Sequence, residues 1–139
     1  MIIRISKSYV PNEKEKYMCR KQKTFFKRKL QNWRNEIIKF SNKSMYLNEI
    51  DHEISSPDVV DQASSQTEKT VEMRTLNRQR KLLSKIDKAI KKIQDDTYGY
   101  CEETGEPIGI KRLVARPIAT LTIEAQEKHE IKEKIYADI

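Results

Sequence analysis

Cys101 opens a spacing pattern suited to a metal, in a chain that lacks most of the ligands. In Tyr98-Gly-Tyr-Cys101-Glu-Glu-Thr104-Gly and Leu121-Thr122-Ile-Glu-Ala125, positions 101, 104, 122 and 125 have the intervals of two C-x-x-C pairs on either side of a short basic segment. Four cysteines so placed would offer zinc four thiolates at tetrahedral reach. Three of the places hold Thr104, Thr122 and Ala125, and neither a neutral hydroxyl nor a methyl replaces the charge and softness of thiolate sulfur. The pattern is a zinc ribbon without its ligands, and zinc is not expected. The folding energy that a metal would supply must then come from packing. Thr104 and Thr122 can bond each other or the backbone, and Ala125 with Cys101 can make a compact apolar contact. Cys101 is expected to be a buried free thiol, since the other cysteine, Cys19, is far away in sequence. His52 and His129 lack metal-ligand spacing and read as surface residues.

A second group of chemically capable residues surrounds Ser55-Ser56-Pro57-Asp58. Asp58 and Asp61, three residues apart, share one face of a helical turn. Alone they are an incomplete shell for magnesium, and Asp after Ser-Pro is usually a solvated turn residue. Arg78, Lys81 and Lys85 lie on one side of a helical segment. By composition such a face is either a soluble surface or a weak nucleic-acid patch.

The elements that carry these residues follow from periodicity. From about Tyr17 to Glu53, Phe26, Leu30, Trp33, Ile37, Phe40 and Leu47 recur at steps of three, four and seven, the pattern of a coiled-coil seam, with no Gly or Pro to break it. Pro57 disfavours helix in Ser56, and Ser56-Pro57 reads as an N-cap with proline in the first helical position. A short turn through Ala63 is expected to reverse the chain. A second helix to about Asp96 follows, with Val71, Met73, Leu76, Leu83, Ile86, Ile90 and Ile93 as its apolar stripe. At 1.5 Å per residue, an arm of about 35 residues spans about 50 Å. Beyond Gly99, Ile108 to Val114 reads as two short extended pieces around a turn, and Glu124 to Tyr136 as a helix with Ile123, Ile131 and Ile135 inward. The expected organisation is a lead-in over 1–16 packing on the head, an antiparallel coiled-coil arm over 17–97 with its tip at 55–64, and a small ribbon-like head with a C-terminal helix over 98–139. The fold class is mainly α.

Composition narrows the class of protein. Of 139 residues 35% are charged, which suits long solvated helices better than a large core. The net charge of +7 is concentrated before residue 50, including Lys21, Lys23, Lys27, Arg28 and Lys29, whereas 51–75 is acidic. This is a basic shaft with an acidic middle, not a uniform nucleic-acid glue. No signal-peptide core or 18-residue apolar run occurs, so a cytoplasmic protein without membrane contact is expected.

These motifs together resemble the DksA family of bacterial transcription factors, in its zinc-independent form. The resemblance is carried by Tyr17-Met18, Leu30-Gln-Asn-Trp33-Arg-Asn, Tyr46-Leu, Ser56-Pro57-Asp58-Val-Val-Asp61-Gln-Ala63, Arg78-Gln-Arg-Lys-Leu-Leu-Ser-Lys85, Tyr98-Gly-Tyr-Cys101-Glu and Ile108-Gly-Ile-Lys-Arg-Leu-Val-Ala-Arg116-Pro117, across about 17–137. It implies a non-enzymatic, monomeric regulator whose arm enters the secondary channel of RNA polymerase, the pore that admits nucleotides. Asp58, Asp61 and Ala63 match the family's tip, which acts near the polymerase active site and alters promoter-complex stability in the stringent response. Arg78 and Lys81 would dock on the polymerase. Lys85 and Arg116 match positions of a guanosine tetraphosphate site shared with polymerase, and the family's further Lys is here Gln126. Specific DNA binding is not expected. The competing readings are a basic coiled coil that binds nucleic acid through Lys21 to Arg28, and a transcript-cleavage factor with magnesium on Asp58 and Asp61.

Overall fold

The computed structural model describes the backbone of residues 3–54 and 59–137, and the side chains of these residues outside 44–65. Four helices account for the regular structure: α1 Arg20–Ile54, α2 Val59–Gln94, α3 Ile110–Ala115 and α4 Ile123–Ala137. Among the described residues there is no strand, only an isolated antiparallel bridge between Tyr100 and Pro107. α1 begins later than its periodicity suggests because Met18 has φ 55°, a left-handed conformation that a helix cannot contain. α2 begins earlier. The expected turn through Ala63 is already helix from Val59, since no Gly or Pro follows Pro57 to delay it. The Ser56-Pro57 cap and Asp58 lie outside the described residues.

The chain divides into two compact units, one of Gln31–Asp87 and one of Met1–Leu30 with Lys88–Ile139. Within the first, α1 and α2 run antiparallel. Arg34 Nε donates to Asp87 Oδ1 at 2.8 Å, and seven residues on, Ser41 Oγ donates to Gln79 Oε1 at 2.7 Å, eight residues back. Ile37 and Ile86 are buried in this unit, with Trp33, Leu76 and Leu83 half-buried. Phe40, expected in the seam, is 54% exposed, as are Val71 and Met73 at 56% and 63%. A straight helix repeats every 3.6 residues, so a strict seven-residue pattern drifts by about 20° per heptad unless the pair supercoils. On a straight helix Ser41, four residues after the buried Ile37, lies about 40° from it on one side and Phe40 about 60° from it on the other, and it is Ser41 that faces α2.

The second unit is closed by an aromatic row. Tyr9 meets Phe25 edge-on with centroids 6.1 Å apart, Phe25 meets Phe26 at 5.4 Å, and Phe26 meets Tyr98 at 5.5 Å. Phe26 and Leu30 are fully buried, and Tyr98 donates its hydroxyl to the Pro117 carbonyl at 2.7 Å. α2 ends because Asp96 takes φ 61°, which lets the Thr97 and Tyr98 amides return to the Lys92 carbonyl at 2.9 and 3.2 Å. The freed Asp96 carboxylate then accepts from Lys23 Nζ at 2.6 Å, joining the end of α2 to the start of α1. The fully buried Gln22 accepts from the Met18 amide at 2.8 Å and donates to the Asn12 carbonyl at 3.2 Å, holding the lead-in.

Two expectations for the head are corrected. The segment read as a pair of extended pieces contains helix α3, in which Ile110 and Leu113 are buried at a helical spacing of three. Gly109 at φ 105° turns the chain into α3, and Lys29 Nζ meets the Val114 carbonyl at its far end, at 2.6 Å. α4 forms as expected, but its inner face is not Ile123, Ile131 and Ile135, which are 56%, 58% and 56% exposed. Only its first turn is covered, through the buried Ala125, and every residue from Glu127 to Ala137 is exposed. At 100° per residue Ala125 does not share a face with Ile123 or Ile131.

One glycine in this unit is fixed by both conformation and space. Gly99 has φ +90°, and a Cβ there would stand 3.0 Å from the Tyr17 hydroxyl and 3.1 Å from Met18 Cγ and Sδ. Tyr17 also donates to the Gly99 carbonyl at 2.5 Å and accepts from the Gly109 amide at 3.2 Å. Gly99→Ala should therefore lower stability by about 1–3 kcal/mol, the usual cost of a strained backbone, as measured by urea unfolding.

Candidate functional site: the ribbon turn and the charged arm

The turn after α2 keeps the backbone of a metal knuckle. The Cys101 amide donates to the Glu106 carbonyl at 2.8 Å, and the Gly105 amide donates back to the Cys101 carbonyl at 2.9 Å. A second strip of chain is drawn alongside by the Glu102 amide, which donates to the Thr120 carbonyl at 3.0 Å, and by Arg112 Nε on the Leu121 carbonyl at 3.0 Å.

The side chains at the four ligand positions do other work. Cys101 is a buried free thiol, 4% exposed. Burial pushes its pKa up, but hydrogen bonds from the Thr104 hydroxyl and from the Thr122, Thr104 and Glu103 amides outweigh this and lower it from 9.0 to about 7. The Thr104 hydroxyl also accepts from the Glu106 amide at 3.4 Å. Thr122 stands one residue before α4 and accepts from the Ala125 amide at 3.3 Å, so this position of the ribbon spacing caps a helix. Ala125 is buried at 3% exposure. The structure thus brings Cys101, Thr104 and Thr122 into one hydrogen-bonded cluster, with both threonines turned to the backbone and the thiol.

This donor set does not fit a four-thiolate zinc site. It has one soft donor, two hydroxyls already engaged and a methyl, and no group of three or more His, Cys, Asp or Glu is poised for a metal among the described residues. His129 is half-exposed beside Glu133, its Nδ1 at 3.2 Å from the carboxylate, and His52 lies outside the described side chains.

The remaining candidates are on the helices. Asp61 and Ala63 belong to the first turns of α2, with side chains outside the description, and Asp58 lies outside the described residues. Arg78, Lys81 and Lys85 are exposed on α2 in the unit of 31–87. Arg116 is exposed just after α3 in the other unit, its amide donating to the Arg112 carbonyl at 2.7 Å. Gln126 is half-buried in α4, and its amide donates to Glu130 Oε1 at 3.2 Å. Gln22 and the Ser41–Gln79 pair went unread in the sequence, and Tyr17 was read without its bonds to Gly99 and Gly109. Gln22 had a signal, because it precedes Phe26 and Leu30 at steps of four on the buried face.

An antiparallel helical pair followed by a small head with a ribbon-type turn defines a class of helical-hairpin proteins. Residues 22–93 match the model of the DnaK suppressor protein DksA, N-terminal domain, and residues 96–130 that of the prokaryotic dksA/traR C4-type zinc finger. The chain belongs to the DksA family. It is 48% identical over 130 residues to the RNA polymerase-binding transcription factor DksA of Caulobacter vibrioides, covering 94% of this chain and 91% of that one. Against the protein of the same name from Escherichia coli (strain K12) it is 41% identical over 120 residues, covering 86% and 79%. The structure of transcription factor DksA2 from Pseudomonas aeruginosa superposes with a TM-score of 0.78 at 40% identity, covering 85% of this chain and 90% of that one. No helix among the described residues is long and apolar enough to cross a membrane.

The lowered thiol pKa has a defined effect on stability. The folded thiol loses its proton at lower pH than the unfolded one, so its contribution is full above about pH 9 and is lost as the pH falls through about 7. Urea unfolding should show stability rising across that window in the native chain, and a flatter profile in Cys101→Ser.

Proposed function

We propose that this chain is a transcription regulator that binds RNA polymerase and places its helical arm in the secondary channel. The observation that carries the reading is the near full-length match to relatives named as RNA polymerase-binding factors, across both the arm and the head. In this reading Asp58, Asp61 and Ala63 form the tip. Two carboxylates on one helical face, beside a residue too small to hinder approach, perturb the polymerase's mobile active-site elements by charge and contact, without chemistry of their own. The protein is therefore a modulator of promoter complexes and not an enzyme.

Arg78 and Lys81 dock the arm. Both are exposed on α2 and have no ion-pair partner among the described residues. Lys85 and Arg116 contribute cations to a guanosine tetraphosphate site completed by polymerase, where dense phosphate charge suits them. Gln126, in place of the family's lysine, takes one cation from that site. The protein acts as a cytoplasmic monomer.

The head is proposed to fold without zinc, supported by the donor set at Cys101, Thr104, Thr122 and Ala125 and by the aromatic row that fills the unit. Prolonged treatment with a zinc chelator should leave the thermal unfolding midpoint unchanged, and a drop together with stoichiometric released zinc would refute a zinc-free head. For the tip, Asp58→Asn with Asp61→Asn should retain polymerase binding in a pull-down while losing most of the effect on transcription in vitro. Undiminished activity of that double variant would remove the tip mechanism.

A further inference from the structure

The outer part of the arm contains two competing instructions. The seven-residue pattern Phe26, Leu30, Trp33, Ile37, Phe40 calls for Phe40 in the seam. In the structure Phe40 is 54% exposed, and the neighbouring Ser41 is turned inward, donating its hydroxyl to Gln79 Oε1 at 2.7 Å. Val71 and Met73 on α2 are also left largely exposed, at 56% and 63%. Burial of a phenylalanine is worth about 1.5–3 kcal/mol and a neutral hydrogen bond only about 0.5–1.5 kcal/mol. On apolar burial alone, α1 should turn by some tens of degrees and take Phe40 into the seam.

We propose that Ser41 and Gln79 are an orientation key that fixes the rotation of α1 against α2 in the outer arm and holds Phe40 outward. Turning Phe40 inward would carry Ser41 away from α2 and leave the Gln79 amide facing an apolar ring without a partner. A part-buried amide so stranded costs more than the bond itself is worth, so the penalty falls selectively on the alternative packing. A polar residue in a coiled-coil core is well suited to this role, because it gives up stability in exchange for one defined arrangement. Arg34–Asp87 in the same unit is exposed and screened, and therefore selects orientation weakly. The pair acts as positioning residues: the rotation of α1 against α2 sets which side chains this part of the arm displays. The consequence for transcription rests on the function proposed above, whereas the orientation itself does not.

The chain has three phenylalanines, so labelling with 4-fluorophenylalanine gives a fluorine spectrum in which Phe40 is assigned by the signal missing from Phe40→Tyr. In the native chain the Phe40 signal should show a solvent-isotope shift between H2O and D2O. In Gln79→Leu the signal should move or split and lose most of that shift, with helical content retained by circular dichroism and an unfolding midpoint unchanged or raised. Ser41→Ala should move it the same way, and Ser41→Thr, which keeps the hydroxyl, should restore the native signal. A Phe40 signal that keeps its position and solvent shift in both Gln79→Leu and Ser41→Ala overturns the key. If the key holds while the native chain has no effect on transcription in vitro, it is the functional reading that fails.

Discussion

The head depends on the contact between Phe26 and Tyr98. The Phe26 ring is fully buried at 5.5 Å from that of Tyr98, and the Tyr98 hydroxyl is anchored on the Pro117 carbonyl at 2.7 Å. One tyrosine thereby joins the start of α1, the end of α2 and the strip of chain leading to α4. Burial holds its phenol strongly toward the protonated state, so it serves as a donor throughout the ordinary pH range. Small ribbon-type heads that bind a metal owe much of their folding energy to it. Here the aromatic row from Tyr9 to Tyr98 supplies a core in the same unit.

Around that core, Cys101, Thr104, Thr122 and Ala125, the four positions with ribbon spacing, carry hydrogen bonds and packing. A zinc knuckle turns its backbone amides toward sulfur, and the same amides at Glu103, Thr104 and Thr122 now stabilise the thiolate form of Cys101. Thr122 caps α4, and Ala125 is small enough to be buried at its first turn. Polar groups are satisfied throughout: among the described residues no buried side-chain nitrogen or oxygen lacks a partner.

The arm follows a different economy. Among the described side chains between Gln31 and Asp87 the buried apolar set is short, Ile37 and Ile86 with half-buried neighbours, and large side chains such as Phe40 and Met73 stay outside. A two-helix pair has little interior, so stability is modest and the choice among nearly equivalent rotations passes to polar contacts between the helices. Arg78, Lys81 and Lys85 of α2 are exposed and keep its solvent-facing surface charged.

The two long helices, their antiparallel pairing, the incomplete cysteine frame and the family itself were legible from residue types and intervals, because helical periodicity and cysteine spacing are local signals. Local pattern misjudged Phe40, the segment at Ile110 and the inner face of α4. In each case the outcome turned on matters that sequence does not print: which of two adjacent residues faces α2, the conformation of Gly109, and the absence, among the described residues, of an element that covers α4 beyond its first turn. By itself the sequence determined the two long helices and the C-terminal one, and that Cys101 stands without its three fellow ligands. Only the tertiary structure decided that Thr122 would be a helix cap, that Gln22 would hold the lead-in, and that Ser41 rather than Phe40 would face Gln79. Those choices depend on which groups meet across long stretches of chain, where burial and hydrogen bonding compete at about a kilocalorie per mole.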